Sequence, residues 1–255
     1  MGVNLFGTDG IRGRVNLNIA NEKLALESLI DKREISPPIY RLIGEALGRC
    51  AEFESGQQVR AVIGWDNRPA NTILAEHLTV GLRLAGFEVI HIGICATPGL
   101  HYATLLYEAH FGCMITASHN PIDDSGLKIF NRFGYKTLPD FETELSRNAI
   151  SLSREDREID DVERKRLARP SIQHESSNWS SENHSIWLGK RYDELAQMLD
   201  CNLSEANYLN QPLHIDSSQG SNKFWLANWL TDRGLTAVEV SHSAPCLNKN
   251  CGAGE

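Results

Sequence analysis

Between residues 59 and 92 the chain runs from a short apolar stretch through a helix-forming segment to a second apolar stretch. No other feature restricts the fold as strongly. Residues 59–64 read as a strand, residues 72–85 as a helix closed by Gly86, and residues 87–92 as another strand. Such a unit joins two parallel strands by a crossover helix. Upstream, Ile39, Leu42, Ile43, Ala46, Leu47 and Cys50 recur at helical spacing, which predicts an amphipathic helix over 38–53 begun by Pro37 and Pro38. Downstream, Thr97-Pro98 opens a helix towards Glu108, residues 111–115 form a third strand and residues 127–130 a fourth. Pro139 starts a helix that runs to about Ile150. The fold class is therefore α/β, a mixed, largely parallel sheet sandwiched by helices, with function expected in loops beyond the strand ends.

A change of composition follows. Residues 154–169 carry six acidic and six basic side chains and residues 173–185 are almost entirely polar, the pattern of a solvated surface. The expected organisation is a first domain over 1–152, a polar linker or insertion over 153–188, and the start of a second α/β domain over 189–255. In the last part, residues 187–199 suggest a helix, 213–217 a strand, 222–232 a helix closed by Gly234, and 237–240 a strand. One such unit leaves sheet edges and an apolar face that the remaining residues are too few to cover.

Across 255 residues, 25 Lys and Arg against 33 Asp and Glu give a formal charge of −8, which argues against a general nucleic-acid surface. No apolar run approaches the roughly 18–20 residues needed to span a bilayer, so no membrane role is expected. The opening residues lack the order of a signal peptide, and a cytoplasmic location is expected. The six cysteines form no C-x-x-C pair, so most should be buried thiols.

The densest chemical signal is Thr116-Ala117-Ser118-His119-Asn120-Pro121, directly after the apolar strand at 111–115 and followed by Asp123, Asp124, Ser125, Gly126 and Lys128. A serine at a strand end can present its hydroxyl to a ligand. The Ser118-His119 pair does not suit a hydrolase triad, because adjacent side chains rarely face each other and no G-x-S-x-G surrounds the serine. Alone, this stretch reads as an ordinary polar turn. It is accompanied by Phe6-Gly7-Thr8-Asp9-Gly10-Ile11-Arg12-Gly13, read as a tight loop that can aim the Arg12 guanidinium at an oxyanion. Gly64-Trp65-Asp66-Asn67-Arg68 adds an Asp–Arg pair that either braces neighbouring loops or meets a ligand.

Taken together, FGTDGIRG at 6–13, GWDNRPA at 64–70, TASHNP at 116–121 with DDSGLKIF at 123–130, and LNKNCGA at 247–253 resemble the α-D-phosphohexomutase family, its bacterial phosphoglucosamine branch most closely. The resemblance covers the amino-terminal half of that family's pattern. It implies that Ser118 carries a phosphoryl group, that Lys128 and Arg12 serve proton transfer and phosphate stabilisation, and that His119 either bonds ligand or phosphate or braces the loop. The implied reaction interconverts glucosamine 6-phosphate and glucosamine 1-phosphate through a sugar bisphosphate. Phosphomannomutase/phosphoglucomutase chemistry and a non-catalytic, phosphosugar-binding-like remnant are the alternatives. The resemblance also implies one Mg²⁺, with the Ser118 phosphoryl oxygen as one ligand. The family's Asp-Gly-Asp-Gly-Asp-Arg metal loop has no match in 1–255, so this stretch alone is expected to lack mutase turnover. Oligomeric state is not legible.

Overall fold

In the computed structural model, residues 4–51, 58–175, 179–200, 211–241 and 246–249 are described. The strand–helix–strand unit forms as its spacing predicts, from β3 (Arg60–Trp65) through α3 (Asn71–Leu84) to β4 (Glu88–Ile94). Ahead of it come β1 (Ile11–Val15), α1 (Glu22–Lys32), β2 (Glu34–Ile35) and α2 (Pro37–Cys50). After it come α4 (Thr97–Leu106), β5 (Phe111–Ile115), β6 (Asp124–Asn131), α5 (Pro139–Leu152), α6 (Asp161–Leu167) and β7 (Ile172–Gln173). These seven strands form one sheet in the order β2-β1-β6-β5-β3-β4-β7. Only β6 runs against its neighbours, β1 and β5. The sheet is mixed and largely parallel, as expected.

Both faces are covered, so the central strands are apolar throughout. Along β3, Ala61, Ile63 and Trp65 face the larger core, together with Leu42, Leu47, Leu74, Leu78 and Leu145 from α2, α3 and α5. Val62 faces the opposite way, into a smaller core with Ile90, Ile92, Leu100, Ala103, Met114 and Trp179. Helices α2 and α3 approach backbone to backbone through Gly44 and Gly81. A Cβ on Gly81 would lie 2.1 Å from the Arg41 carbonyl oxygen, which excludes any larger residue there.

Three local expectations are corrected. The FGTDGIRG stretch is not wholly a loop, because Ile11–Val15 is strand β1, paired antiparallel with β6 and parallel with β2. Helix α1, capped by the Asn21 side chain on the Lys23 and Leu24 amides, is an element beyond those the spacing predicts. The charged stretch 154–169 stays largely exposed, as its composition predicts, but it is not a bare linker. Arg157 pairs with Glu22 and Glu45 of the first two helices, Leu167 of α6 is buried, and β7 adds a parallel strand beside β4. Trp179 is 1% exposed and donates from Nε1 to the Tyr107 hydroxyl at 3.2 Å.

A π-helical turn, Ser180–His184, then leads into α7 (Ser185–Met198). Strand β8 (Leu213–Ile215), a 3-10 turn, α8 (Leu226–Thr231) and β9 (Ala237–Glu239) complete a second strand–helix–strand unit, with β8 and β9 as a separate parallel pair. Cys95 and Cys113 are buried and Cys50 and Cys246 half-buried, all four free; Cys201 and Cys251 lie outside the described residues. Among the described residues no helix is long and apolar enough to cross a membrane.

Candidate active site

The strand register brings the sequence motifs to one rim of the sheet. Arg12 on β1 lies opposite Gly126 on β6, and the Thr116 amide just past β5 donates to the Gly126 carbonyl at 2.9 Å. Gly126 is small for a reason. A Cβ there would stand 2.3 Å from the Ile11 carbonyl oxygen and 2.9 Å from Arg12 Cγ, so any other side chain would displace the arginine crossing it. Lys128, two residues along β6, projects from the same face as Gly126 and Arg12.

Ser118 is exposed and has φ 57°, the left-handed region that a residue with a Cβ enters only when its surroundings impose it. The constraint is visible in two layers. The Thr116 hydroxyl donates to Asp66 Oδ2 at 2.6 Å and accepts from the Ser118 amide at 2.9 Å. Beneath the loop, the Arg68 side chain, fully buried, donates to four carbonyls. They are those of Ser118 at 3.0 Å, Asn120 at 2.9 Å, Asp124 at 2.9 Å, and Pro121. Asp66 Oδ2 accepts from Arg68 Nε at 3.2 Å, and its Oδ1 accepts from Asn71 at 2.8 Å. Of the two readings of the Asp66–Arg68 pair, the geometry gives the brace. Its donors point into the loop backbone and leave Ser118 Oγ free of hydrogen bonds among the described residues.

Arg12 and Lys128 are drawn together by a residue that sequence reasoning does not single out. Asp9 pairs with Arg12, with Lys128 Nζ at 2.9 Å and with Lys136 Nζ at 3.4 Å. Burial pushes its carboxyl up, but the bond to Lys128 and the charges of Lys128, Arg12 and Lys136 outweigh that and hold it below the usual range. Arg12 Nη1 also reaches the Ala117 carbonyl at 3.5 Å, a long contact that places its guanidinium beside the serine loop. His119 is exposed and makes no hydrogen bond to a described residue. Asp9 lies inside FGTDGIRG, so its motif is in view; Lys136 carries no sequence signal.

The second unit also reaches this rim. Asn248 donates from Nδ2 to the Ser118 carbonyl at 2.7 Å and to the Asn120 carbonyl at 3.0 Å, and Asn67 donates to the Gln219 carbonyl at 2.7 Å. Asn248 belongs to the LNKNCGA motif, of which residues 250–253 lie outside the described residues.

An exposed serine held at a strand end, with cations on the same rim, is an arrangement able to accept and hold a phosphoryl group. Residues 3–155 match the family model for phosphoglucomutase/phosphomannomutase, alpha/beta/alpha domain I, and the chain belongs to that family. The phosphoglucosamine mutase of Symbiobacterium thermophilum is 40% identical over 152 residues, 60% of this chain and 30% of its own length. That of Acaryochloris marina is 33% identical over 199 residues, 76% of this chain and 35% of its own length. The chain thus matches about a third of the length of these curated relatives. A putative phosphomannomutase from Thermus thermophilus superposes with a TM-score of 0.60 at 20% identity, over 99% of this chain and 48% of that one, which shows a shared fold.

Proposed function

We propose that this chain supplies the phosphoryl-carrying part of a phosphoglucosamine mutase, with Ser118 as the residue that gives and regains the phosphoryl group. The single observation that carries the reading is the Ser118 geometry: an exposed residue with an unbonded hydroxyl, on a loop whose carbonyls are held by Arg68 and Asn248. In the forward half-reaction the Ser118 Oγ–P bond breaks as a sugar hydroxyl oxygen bonds to phosphorus. The hydroxyl's proton leaves, and Ser118 Oγ takes one up. Lys128 is assigned to that proton transfer, Arg12 to the charge on the phosphoryl oxygens, and His119 to contact with ligand. The second half-reaction returns a phosphoryl from the other end of the bisphosphate to Ser118. Hexosamine phosphates are the proposed substrates on the strength of the curated relatives' names.

Phosphohexomutases are generally metal-dependent, and Mg²⁺ is the ion proposed for this one. The described residues do not fit it. Among them no group of three or more His, Cys, Asp or Glu side chains could hold a metal ion, and Asp124 is already engaged by Asn120 at 2.9 Å.

The test is to incubate the chain with hexosamine 1,6-bisphosphate and map phosphate by peptide mass spectrometry. Phosphate on Ser118, and its absence from Ser118→Ala, is the expected result. Wild-type protein that carries no phosphate on Ser118, as purified or after incubation, would remove the proposal.

A further inference from the structure

Three cations converge on one partly exposed carboxylate at the serine rim, leaving the cluster with a net charge of +2. Asp9 meets Lys128 at 2.9 Å, Lys136 at 3.4 Å and Arg12 at hydrogen-bond distance. The groups are neither deeply buried nor free, because Arg12 and Lys128 are mostly covered while Asp9 and Lys136 are each 41% exposed. Two of the cations are also tied to backbone, Lys136 to the Thr8 carbonyl at 2.7 Å and Arg12 to the Asp9 carbonyl at 3.2 Å.

A carboxylate offers two oxygens and one charge, whereas a phosphate group offers three or more oxygens and up to two charges. Arg12 spans the gap between the two, contacting Asp9 on one side and the Ala117 carbonyl, one residue before Ser118, on the other. We propose that Asp9 is a built-in counter-anion: it holds Arg12, Lys128 and Lys136 together while no phosphoryl group is present, and competes with phosphate for them when one arrives. Lys136 is then a third cation of the site. The inference rests on the phosphoryl-carrier reading only for the identity of the competing anion.

As a regulator, Asp9 acts in two directions. It preserves the cation cluster in the empty site, where three like charges would otherwise repel, and it weakens the grip of the cluster on a phosphate group. A site that must both take up and release phosphoryl esters gains from the second effect, since a stronger cluster would slow release.

The test measures binding of inorganic phosphate to the full chain at fixed ionic strength, by calorimetry, for wild type, Asp9→Asn, Lys136→Met and the double variant. Asp9→Asn should bind phosphate about tenfold more tightly, because one like charge a few ångströms from the ligand is removed. Lys136→Met should bind it roughly threefold more weakly, as expected for loss of one partly exposed cation. Damage to the fold would weaken both, so the opposite signs separate the proposal from unfolding. Equal or weaker binding by Asp9→Asn overturns it, as does tightening undiminished in the double variant, or no measurable binding to wild type and Asp9→Asn alike.

Should Asp9→Asn not fold, wild-type protein still decides. Titration of the Asp9 carboxyl carbon by NMR should show its midpoint rising towards the ordinary aspartate value when phosphate is added, and an unmoved midpoint overturns the proposal. Absence of phosphate on Ser118 would remove the mutase reading and leave this comparison standing, because free phosphate needs no serine ester.

Discussion

Arg68 and Asn248 donate to the same two carbonyl oxygens, those of Ser118 and Asn120. Arg68 Nη2 lies 3.0 and 2.9 Å from them and Asn248 Nδ2 lies 2.7 and 3.0 Å away. One donor is a buried charge belonging to the seven-stranded sheet, the other a neutral amide from the segment beyond β9. The serine loop is therefore pinned from within and latched from outside.

Loss of the inner pin should be severe. Arg68→Ala leaves four inward carbonyls short of a donor and the Asp66 carboxylate without its charged partner, a cost of about 3–5 kcal/mol. Arg68→Lys keeps the charge but not the planar fork, and should recover only part of the loss. Urea unfolding measures both, and a cost for Arg68→Ala below about 1 kcal/mol would mean that the brace is not structural.

The outer latch should matter locally. Asn248 has φ 60° and its amide donates to the Ser218 carbonyl at 2.9 Å, so Asn248→Gly keeps the backbone while removing both latch bonds. That variant should lose about 0.5–1.5 kcal/mol per bond at most. Its clearer sign is faster hydrogen exchange at the Ser118 amide, which donates to the Thr116 hydroxyl. Exchange as slow as in wild type would show that the latch does not steady the loop.

Ser118 itself carries strain that can be read separately from its chemistry. With φ at 57°, Ser118→Gly should be more stable than Ser118→Ala by about 1 kcal/mol, because only glycine adopts the left-handed region without penalty. Both variants lose the hydroxyl, so thermal melting distinguishes them while phosphate labelling does not. Equal melting temperatures would place the loop in a different backbone conformation.

Acid should unfold the protein partly through His91. It is 4% exposed, shares a 2.7 Å hydrogen bond between Nε2 and the Thr79 hydroxyl, and burial pushes its pKa down to about 4. The unfolded imidazole protonates near 6.5, so the unfolded state binds the extra proton first and stability falls between about pH 6.5 and 4. The loss from this one group is on the order of 3 kcal/mol. His91→Gln should flatten that slope in urea unfolding across the interval; superimposable profiles would rule the histidine out as a source.

Much of this architecture is legible in the sequence because it is local. The strand at Phe111–Ile115 and the helix starts at Pro37, Thr97 and Pro139 emerge as their spacing and prolines predict. Strand β1 escapes such a reading because Ile11-Arg12-Gly13-Arg14-Val15 has no apolar run, and its longer pairing is with β6, more than a hundred residues away. Helix α1 escapes it for a related reason: Leu24 and Ile30 are exposed beside buried Ala25, Leu26 and Leu29, which blurs the apolar stripe. The charged stretch past residue 153 is largely exposed, as it reads, but the anchoring of Arg157 is hidden because its partners Glu22 and Glu45 lie 135 and 112 positions away. At the site, Ser118, Arg12 and Lys128 lie in motifs, whereas Lys136 and the destination of Arg68 exist only in three dimensions.

The antiparallel course of β6 sets a sequence of assembly. Strand β1 emerges first from synthesis, yet its long partner is residues 124–127, and until those exist β1 has only the two-residue β2 to lie against. Loop closure over such a span is slow compared with the neighbouring helices and hairpin. Arg12 and Asp9 are thus made long before the serine loop they serve, whereas Asn248, the outer donor to that loop, is made long after it.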